Sequence, residues 1–165
     1  MAEERRIVEL EVGDVDLVEG LWKEMVVHHH SVQDGFPGRD PQAAWERRRK
    51  QYVGWLETGE STMFLVPGEG ATGAPLAYAC LRVGGSPSTW DFGDVVGDLE
   101  SLSVSSAARG QGIGTELIEH CRARAKELGA RWWTVTAIHA NAGAIALYER
   151  ERFRPYADIL LAPIE

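Results

Sequence analysis

A glycine-rich turn between a strand and a helix is the segment of this sequence best suited to binding a phosphorylated ligand. Residues 98–104 alternate through Leu99, Leu102 and Val104 as a strand does, and a helical pattern begins at about Gln111. Glycines let backbone N–H groups approach a ligand without a Cβ in the way. A helix N-terminus adds unpaired donors and a partial positive charge. We therefore expect residues 110–115 to bind phosphate oxygens, with the Arg109 guanidinium as a charged donor nearby.

The spacing of Gly110, Gly112 and Gly114 does not match the common nucleotide-binding patterns. A P-loop needs Gly-Lys-Ser/Thr, and Ile113-Gly114-Thr115 contains no lysine. The dinucleotide pattern is G-x-G-x-x-G, whereas the sequence here is G-x-G-x-G. A module that binds ATP or NAD is therefore only a third alternative.

The segment Arg109-Gly-Gln-Gly-Ile-Gly114 resembles the Arg/Gln-x-x-Gly-x-Gly/Ala signature of the GCN5-related N-acetyltransferase (GNAT) family. The resemblance continues in an Asn-x6-Tyr helix from Asn141 to Tyr148. From Leu99 to Phe153 the resemblance rests on specific residues. Before Leu99 it rests only on the order of helices and strands. It implies acetyl-CoA as co-substrate and an acetyl group transferred to the primary amine of a small molecule or peptide. The alternative that keeps the glycine turn is a non-catalytic CoA-binding sensor or partner module.

The resemblance also implies where the coenzyme lies. The pantetheine arm would pair with the main chain near Leu102 and Val104 as an added strand does, and Asn141 would hydrogen-bond that arm. The diphosphate would lie on the N–H groups of residues 111–115. The predicted cofactor-binding residues are Leu102, Ser103, Val104, Arg109, Gly110, Gln111, Gly112, Ile113, Gly114, Thr115, Asn141 and Tyr148.

Two residues of this region are assigned to proton transfer. An attacking amine must be neutral, and a lysine-like amine has a pKa of about 10.4, so a group must accept its proton. We assign Glu100 as the base, acting through water, and Tyr148 as the acid beside the coenzyme sulfur. The alternatives are that Glu100 is a solvated surface carboxylate and that Tyr148, three residues after Ile145, only packs in the core.

Other polar and aromatic clusters have plainer interpretations. Adjacent residues on a helix do not face one another, so His28-His29-His30 is more typical of structural or solvated residues than of a metal site, with lining of the acceptor pocket as the alternative. Arg47-Arg-Arg-Lys50 reads as a solvated helix face. Trp90 and Phe92 either close over the acceptor or simply pack. We predict no metal site.

These residues must be positioned by alternating helices and strands. The pattern predicts the order β-α-α-β-β-β-α-β-α-β, hence an α/β fold with a mixed, mostly antiparallel sheet and helices on both faces. The resemblance adds a splay between the fourth and fifth strands. The predicted strands are 6–11, 61–66, 75–83, 98–104, 131–138 and 153–161, with a turn at 67–74. The predicted helices begin near Asp14, at Pro41 after an Asp40 cap, near Gln111 and at Asn141.

One departure from the family pattern concerns the end of the last helix. The family commonly has glycine before the phenylalanine that follows the tyrosine helix, and here the pair is Arg152-Phe153. Arginine tolerates a left-handed backbone poorly. We therefore expect this helix to end in a different way.

Composition limits the class of protein. The 165 residues fit a single domain over 1–165, with 44% hydrophobic and 25% charged residues. The net charge of −8 argues against nucleic-acid binding and tilts the acceptor toward a cation. Cys80 and Cys121 are too few for a disulfide framework, and no signal or membrane segment is visible. We expect a cytoplasmic protein, no membrane partner and a possible homodimer.

Overall fold

The computed structural model describes residues 5–70 and 73–164, which build helices around a five-stranded sheet. The strands are β1 (Val8–Glu9), β2 (Ser61–Val66), β3 (Ala77–Gly84), β4 (Val96–Val104) and β5 (Trp132–Val135). The helices are α1 (Glu19–Val32), α2 (Pro41–Glu57), α3 (Ile113–Glu127) and α4 (Ala142–Arg150), with 3-10 turns at Val12–Val18 and Ser106–Ala108. No helix of the described ranges is both long and apolar enough to cross a bilayer.

The sheet is mixed, as predicted. Its strands lie in sequence order, β1 to β4 pair antiparallel, and β4 pairs parallel with β5. The β4–β5 pairing runs only from Val96 opposite Trp132 to Leu99 opposite Val135. Beyond Leu99 the two strands separate while β4 continues to Val104. The predicted splay between the fourth and fifth strands is therefore confirmed.

Two apolar cores lie on the two faces of the sheet, because successive side chains of a strand point to opposite faces. On one face, Met63, Tyr78 and Cys80 pack with the buried residues of α1 and α2. On the other face, Phe64 and Leu81 pack with the buried residues of α3. Helices therefore cover both faces, as predicted.

A β-bulge at Glu100 shapes the centre of β4. Cys80 lies opposite Ser101 and Leu81 lies opposite Leu99, so Glu100 is an extra residue with no partner in β3. The side chains of Glu100 and Ser101 both reach residues of α2. Leu99 and Leu102, on either side of this pair, belong to the α3 core. The bulge thus places two consecutive polar side chains on the α2 face.

Several predicted elements differ from those observed. The first strand is only Val8–Glu9, and a 3-10 turn through residue 18 precedes α1, so the first α-helix begins later than predicted. The strand predicted at 131–138 is paired only at Trp132–Val135. Of the predicted turn at 67–74, residues 71 and 72 lie outside the described residues.

The strand predicted at 153–161 does not form. Residues 153–164 are in no strand or helix, and the apolar side chains of Ile159, Leu160 and Leu161 are exposed. Pro155 lacks the N–H that a ladder requires, and no described strand pairs with this segment. The apolar residues of this segment were therefore a misleading signal for a strand.

Candidate active site

The glycine turn exposes a row of backbone donors. Gly110 and Gly112 adopt positive φ angles of 75° and 80°, which only glycine adopts readily, and α3 begins directly afterwards at Ile113. Following the chain from Gln111 within the described residues, Glu116 is the first residue whose N–H donates to a backbone acceptor. It donates to the Gly112 carbonyl oxygen at 3.1 Å. The preceding N–H groups of residues 111–115 are left for a ligand.

Arg109 lies beside this turn but is already engaged by the protein. Its Nε donates to the Val104 carbonyl oxygen at 3.3 Å, and a terminal nitrogen lies 3.8 Å from the Glu24 carboxylate on α1. Glu24 also accepts from the Ser106 N–H at 2.7 Å. Because Arg109 is about half exposed, it both ties the turn to α1 and remains accessible to an anion.

The splay opens a gap along one edge of β4. Residues 100–104 have no strand partner on the β5 side within the described ranges. Leu102 and Val104 are only partly buried there, as are Leu147 and Tyr148 of α4. Ser103 points the other way, since its hydroxyl donates to the Leu21 carbonyl oxygen at 3.1 Å. Only the main chain of Ser103 is therefore available at this edge.

Asn141 lies at the start of α4 as its N-cap. Its side-chain oxygen accepts from the Ala144 N–H at 3.2 Å, which satisfies one of the free donors of the helix end. The side-chain NH2 group is the part of Asn141 left to donate to a ligand. The structure therefore shows a capping role that the sequence reasoning did not assign.

Tyr148 is held by the way α4 ends. The Phe153 N–H donates to the Tyr148 carbonyl oxygen and the Arg152 N–H to that of Glu149, both at 3.0 Å, which is a Schellman motif. The Phe153 ring packs against the Tyr148 ring with centroids 5.8 Å apart. Burial raises the pKa of the Tyr148 hydroxyl to about 12, so it keeps its proton at neutral pH.

The expectation that the Arg152-Phe153 pair would end this helix differently is wrong. Arg152 adopts φ 72°, the left-handed conformation that glycine takes in the family pattern. Two backbone hydrogen bonds and the packing of Phe153 against Tyr148 and Trp133 offset the strain.

Glu100 forms an ion pair with Arg48 of α2, and each side chain is only 20% exposed. The Arg48 guanidinium lies over the Trp22, Tyr52 and Trp55 rings at 4.6, 5.4 and 5.6 Å from their centroids. Glu100 is therefore not the solvated surface carboxylate that was its alternative interpretation. Arg48 likewise departs from the solvated face predicted for residues 47–50, whose other members are exposed.

Asp98 is a neighbouring carboxylate that sequence reasoning overlooked. Its Oδ1 accepts from the Thr134 hydroxyl of β5 at 3.0 Å. Burial is the main cause that raises the pKa of Asp98, and the nearby negative charge of Glu100 raises it further. The signal in the sequence was a second carboxylate two positions from Glu100 on one strand.

Glu100 lies near two clefts, because its ion-pair partner Arg48 lines one of them and its neighbour Asp98 lines the other. The first lies between α1 and α2, has a volume of about 270 Å³ and includes Arg48. The second has a volume of about 340 Å³ and includes Asp98 and Thr134. Phe92 also lines the second cleft, where it packs against Trp132 and Tyr156, while Trp90 is exposed. Phe92 therefore packs, and neither residue closes over the first cleft.

His29 and His30 line the first cleft. His30 is exposed and His28 and His29 are partly buried, so both the solvated interpretation and the lining of an acceptor pocket stay predictions. Burial lowers the pKa of His29, and the neighbouring His28 and His30 lower it further.

Comparison with solved structures identifies the fold. The chain is similar to a GCN5-related N-acetyltransferase from Ralstonia eutropha, with 24% identity over 96% of this chain and 97% of that chain and a TM-score of 0.76. A predicted acetyltransferase with acetyl-CoA from Clostridium acetobutylicum is 13% identical over 96% and 95% of the two chains, with a TM-score of 0.73. An aminoglycoside N-acetyltransferase in complex with CoA is 14% identical over 97% and 99%, with a TM-score of 0.67. At these identities the similarity shows the fold alone.

A family model supplies the assignment that structural similarity does not. No relative was found among the curated proteins. The model of the acetyltransferase (GNAT) family matches residues 26–152, which include the second half of α1, β2 to β5, the glycine turn and all of α2 to α4. The chain therefore belongs to the GNAT family of acetyltransferases.

Proposed function

We propose that this protein transfers the acetyl group of acetyl-CoA to a primary amine of a small molecule or peptide, by direct attack within a ternary complex. The observation that carries the proposal is the position of two sets of free backbone groups. The N–H groups of residues 111–115 have no backbone acceptor in the described structure. On the side of β4 that faces β5, residues 100–104 have no strand partner there either. One end of the gap therefore suits a diphosphate and the other an extended amide chain.

The residues around this gap fit the coenzyme. The amides of Leu102 and Val104 would pair with the pantetheine arm, while Leu147 and Tyr148 offer partly buried apolar surface on the other side. Arg109 would add a charge-assisted bond to a phosphate oxygen. The thioester supplies the acyl group and a thiolate leaving group.

Glu100 is proposed as the base that accepts the amine proton through water. Removing that proton at pH 7 costs about 4–5 kcal/mol for a lysine-like amine. The ion pair with Arg48 fixes the Glu100 carboxylate at the centre of β4. Asp98 is close enough for the two charges to interact, and it is a second acceptor for a proton leaving through the other cleft.

Tyr148 is proposed as the acid that protonates or hydrogen-bonds the leaving thiolate. A buried phenol with a pKa of about 12 carries its proton throughout the physiological range. A main-chain N–H near Val104 would polarise the thioester carbonyl. The remaining contribution is to hold the two reactants together, which requires no covalent enzyme intermediate.

The test is free-thiol release from acetyl-CoA across a panel of primary amines. We expect turnover with at least one amine, and a loss of about 100-fold or more in kcat for Tyr148→Phe with the coenzyme Kd unchanged. Glu100→Gln should lower kcat most strongly below pH 8, where the amine is mostly protonated. A Tyr148→Phe variant with full kcat at every pH would remove Tyr148 from this role.

A non-catalytic CoA-binding module remains the second candidate, and one observation favours it. The candidate base is neutralised by Arg48 rather than free. Calorimetry separates the two candidates, because heat on adding CoA together with no thiol release from any amine supports the non-catalytic module. Neither heat nor turnover would reject both.

We also propose the domain extent, the location and the oligomeric state of the enzyme. We propose a single acetyltransferase domain over residues 1–165, working in the cytoplasm, where buried free thiols such as Cys80 and Cys121 stay reduced. The exposed apolar side chains of Ile159 and Leu160 support a homodimer that covers them. Light scattering of the purified chain tests the homodimer.

A further inference from the structure

The first cleft, between α1 and α2, is built from hydrogen-bond donors and has no negatively charged side chain. We refer to it as the basic cleft. It is lined by Trp22, Val26, His29, His30, Arg39, Ala44, Arg47, Arg48 and Gln51. Every charged member of this set is an arginine, in a protein whose net charge is −8. The local charge is therefore opposite in sign to that of the whole molecule.

Two of the three arginines carry uncompensated charge. Arg48 is paired with Glu100, but Arg39 and Arg47 form no ion pair with any carboxylate in the described residues. The next residue of the same helix behaves differently, since Arg49 makes two hydrogen bonds to Asp16, at 2.5 and 2.9 Å. Arg39 and Arg47 are both exposed, so each guanidinium is free to bind an anion that enters the cleft.

The indole N–H of Trp22, a residue of the same cleft, is a buried donor without an acceptor among the described residues. Trp22 is only 9% exposed, and its Nε1 is buried without a hydrogen-bond partner in the described structure. A buried donor that lacks an acceptor destabilises a fold by about 1–3 kcal/mol. Trp22 lines the basic cleft, but its Nε1 atom is out of contact with solvent there, so the groups available to an anion are the arginines.

The loop before α2 holds one wall of the basic cleft in place. A Cβ built on Gly38 would lie 2.9 Å from Cε1 of the His30 ring, which is closer than such contacts normally are. Glycine at this position therefore lets the loop pack directly on His30. The His30 ring lies at the cleft as a further hydrogen-bonding group.

We propose that the acetyl acceptor is a small amine that also carries an anionic group, a carboxylate or a phosphate, and that the basic cleft binds that group. This rests on the proposed function and adds the class of its substrate. Arg47 and Arg39 would hold the anion. Arg48 links the cleft to Glu100, so an amine reaching past Arg48 arrives at the proposed base. The tilt toward a cationic acceptor, inferred from net charge, is reversed by the local arrangement.

A matched substrate series tests the proposal. Thiol release is measured with amino acids, with the corresponding amino acid amides, and with aminoalkyl phosphates beside the corresponding amino alcohols. We expect kcat/KM to be about 10- to 100-fold higher for the anionic member of at least one pair, because a charged hydrogen-bonded contact is lost in the neutral member. The pair with the larger ratio tells whether the group is a carboxylate or a phosphate.

Variants of α2 locate the effect. Arg47→Gln should remove most of the preference, because it should raise KM for the anionic substrate much more than for the neutral one. Lys50→Gln is the matched control, since it makes the same charge change on the same helix outside the cleft and should leave both unchanged.

The outcomes separate this inference from the proposed function. Equal kcat/KM within every pair, with turnover present, overturns the anionic acceptor and leaves the acetyltransferase intact. If the anionic substrate is preferred but Arg47→Gln and Lys50→Gln change this preference equally, the assignment of the anionic group to the basic cleft is overturned. If no amine is acetylated, the proposed function fails, and calorimetry of the same anionic amines in the presence of CoA decides the cleft. An absence of heat there overturns this inference as well.

Discussion

Replacing Arg152 with glycine should stabilise the protein, although arginine is the natural residue. Arg152 has φ 72° and occupies the C′ position of the motif that ends α4. A left-handed backbone costs a residue with a Cβ about 1–2 kcal/mol. Glycine removes that strain but loses about 0.5–1 kcal/mol through the greater freedom of the unfolded chain. The net gain in the free energy of unfolding is about 0.5–1 kcal/mol.

Thermal and urea unfolding, followed by circular dichroism, measure this gain. For a chain of this size, 1 kcal/mol corresponds to about 2–4 °C in Tm, so Arg152→Gly should raise Tm by about 1–4 °C. Arg152→Ala is the control, because alanine removes the arginine side chain but retains the strained φ. The Tyr148 side chain should keep its position in Arg152→Gly, since its contact with Phe153 is retained.

Two results would refute this reasoning. If Arg152→Ala raised Tm as much as Arg152→Gly, the gain would come from removing the side chain and its charge rather than from the backbone. If Arg152→Gly lowered Tm, the left-handed conformation would not be a source of strain at all.

Three further predictions concern the site and its surroundings. Gly112→Ala should raise the Kd for CoA by about tenfold in calorimetry, because alanine disfavours φ 80° at the start of α3 and shifts the free N–H groups; an unchanged Kd would argue against the diphosphate position. Asp98→Asn should raise the free energy of unfolding at pH 7 but not at pH 3. Burial raises the pKa of Asp98 in the folded state, so its ionised form is destabilising above the ordinary pKa of about 3.9, and an equal effect at both pH values would contradict that cause. A thiol reagent at pH 8 should react with neither Cys80 nor Cys121 until the chain is denatured, because burial raises the pKa of both thiols, that of Cys121 to about 12; rapid reaction of the native chain would show that they are accessible.

The parts of the structure that depend on local chemistry were predictable from the sequence. The start of α2 at Asp40-Pro41 is confirmed, with the Asp40 carboxylate accepting from the Ala43 N–H at 3.1 Å. The glycine turn leads into α3 at Ile113, close to the predicted start. Caps, turns and helical periodicity are set by residues a few positions apart, so one segment contains the whole signal.

The features that depend on distant contacts were not predictable. Arg48 and Glu100 are 52 positions apart, and nothing in the pattern of either segment shows that they meet. The bulge at Glu100 contains no glycine that would mark it. The segment after Phe153 is rich in apolar residues, yet no described strand pairs with it, because pairing requires a partner and not only a propensity.

The bulge in β4 has a consequence for how readily this chain could gain or lose its proposed base. Glu100 is additional to the ladder, so deleting it would leave Leu99 and Ser101 as ordinary successive residues on opposite faces. Every apolar side chain of β4 would stay in its own core. Deletion or insertion of this single residue could therefore convert an active enzyme into a non-catalytic binding protein, or the reverse. The packing of the two cores would not have to change.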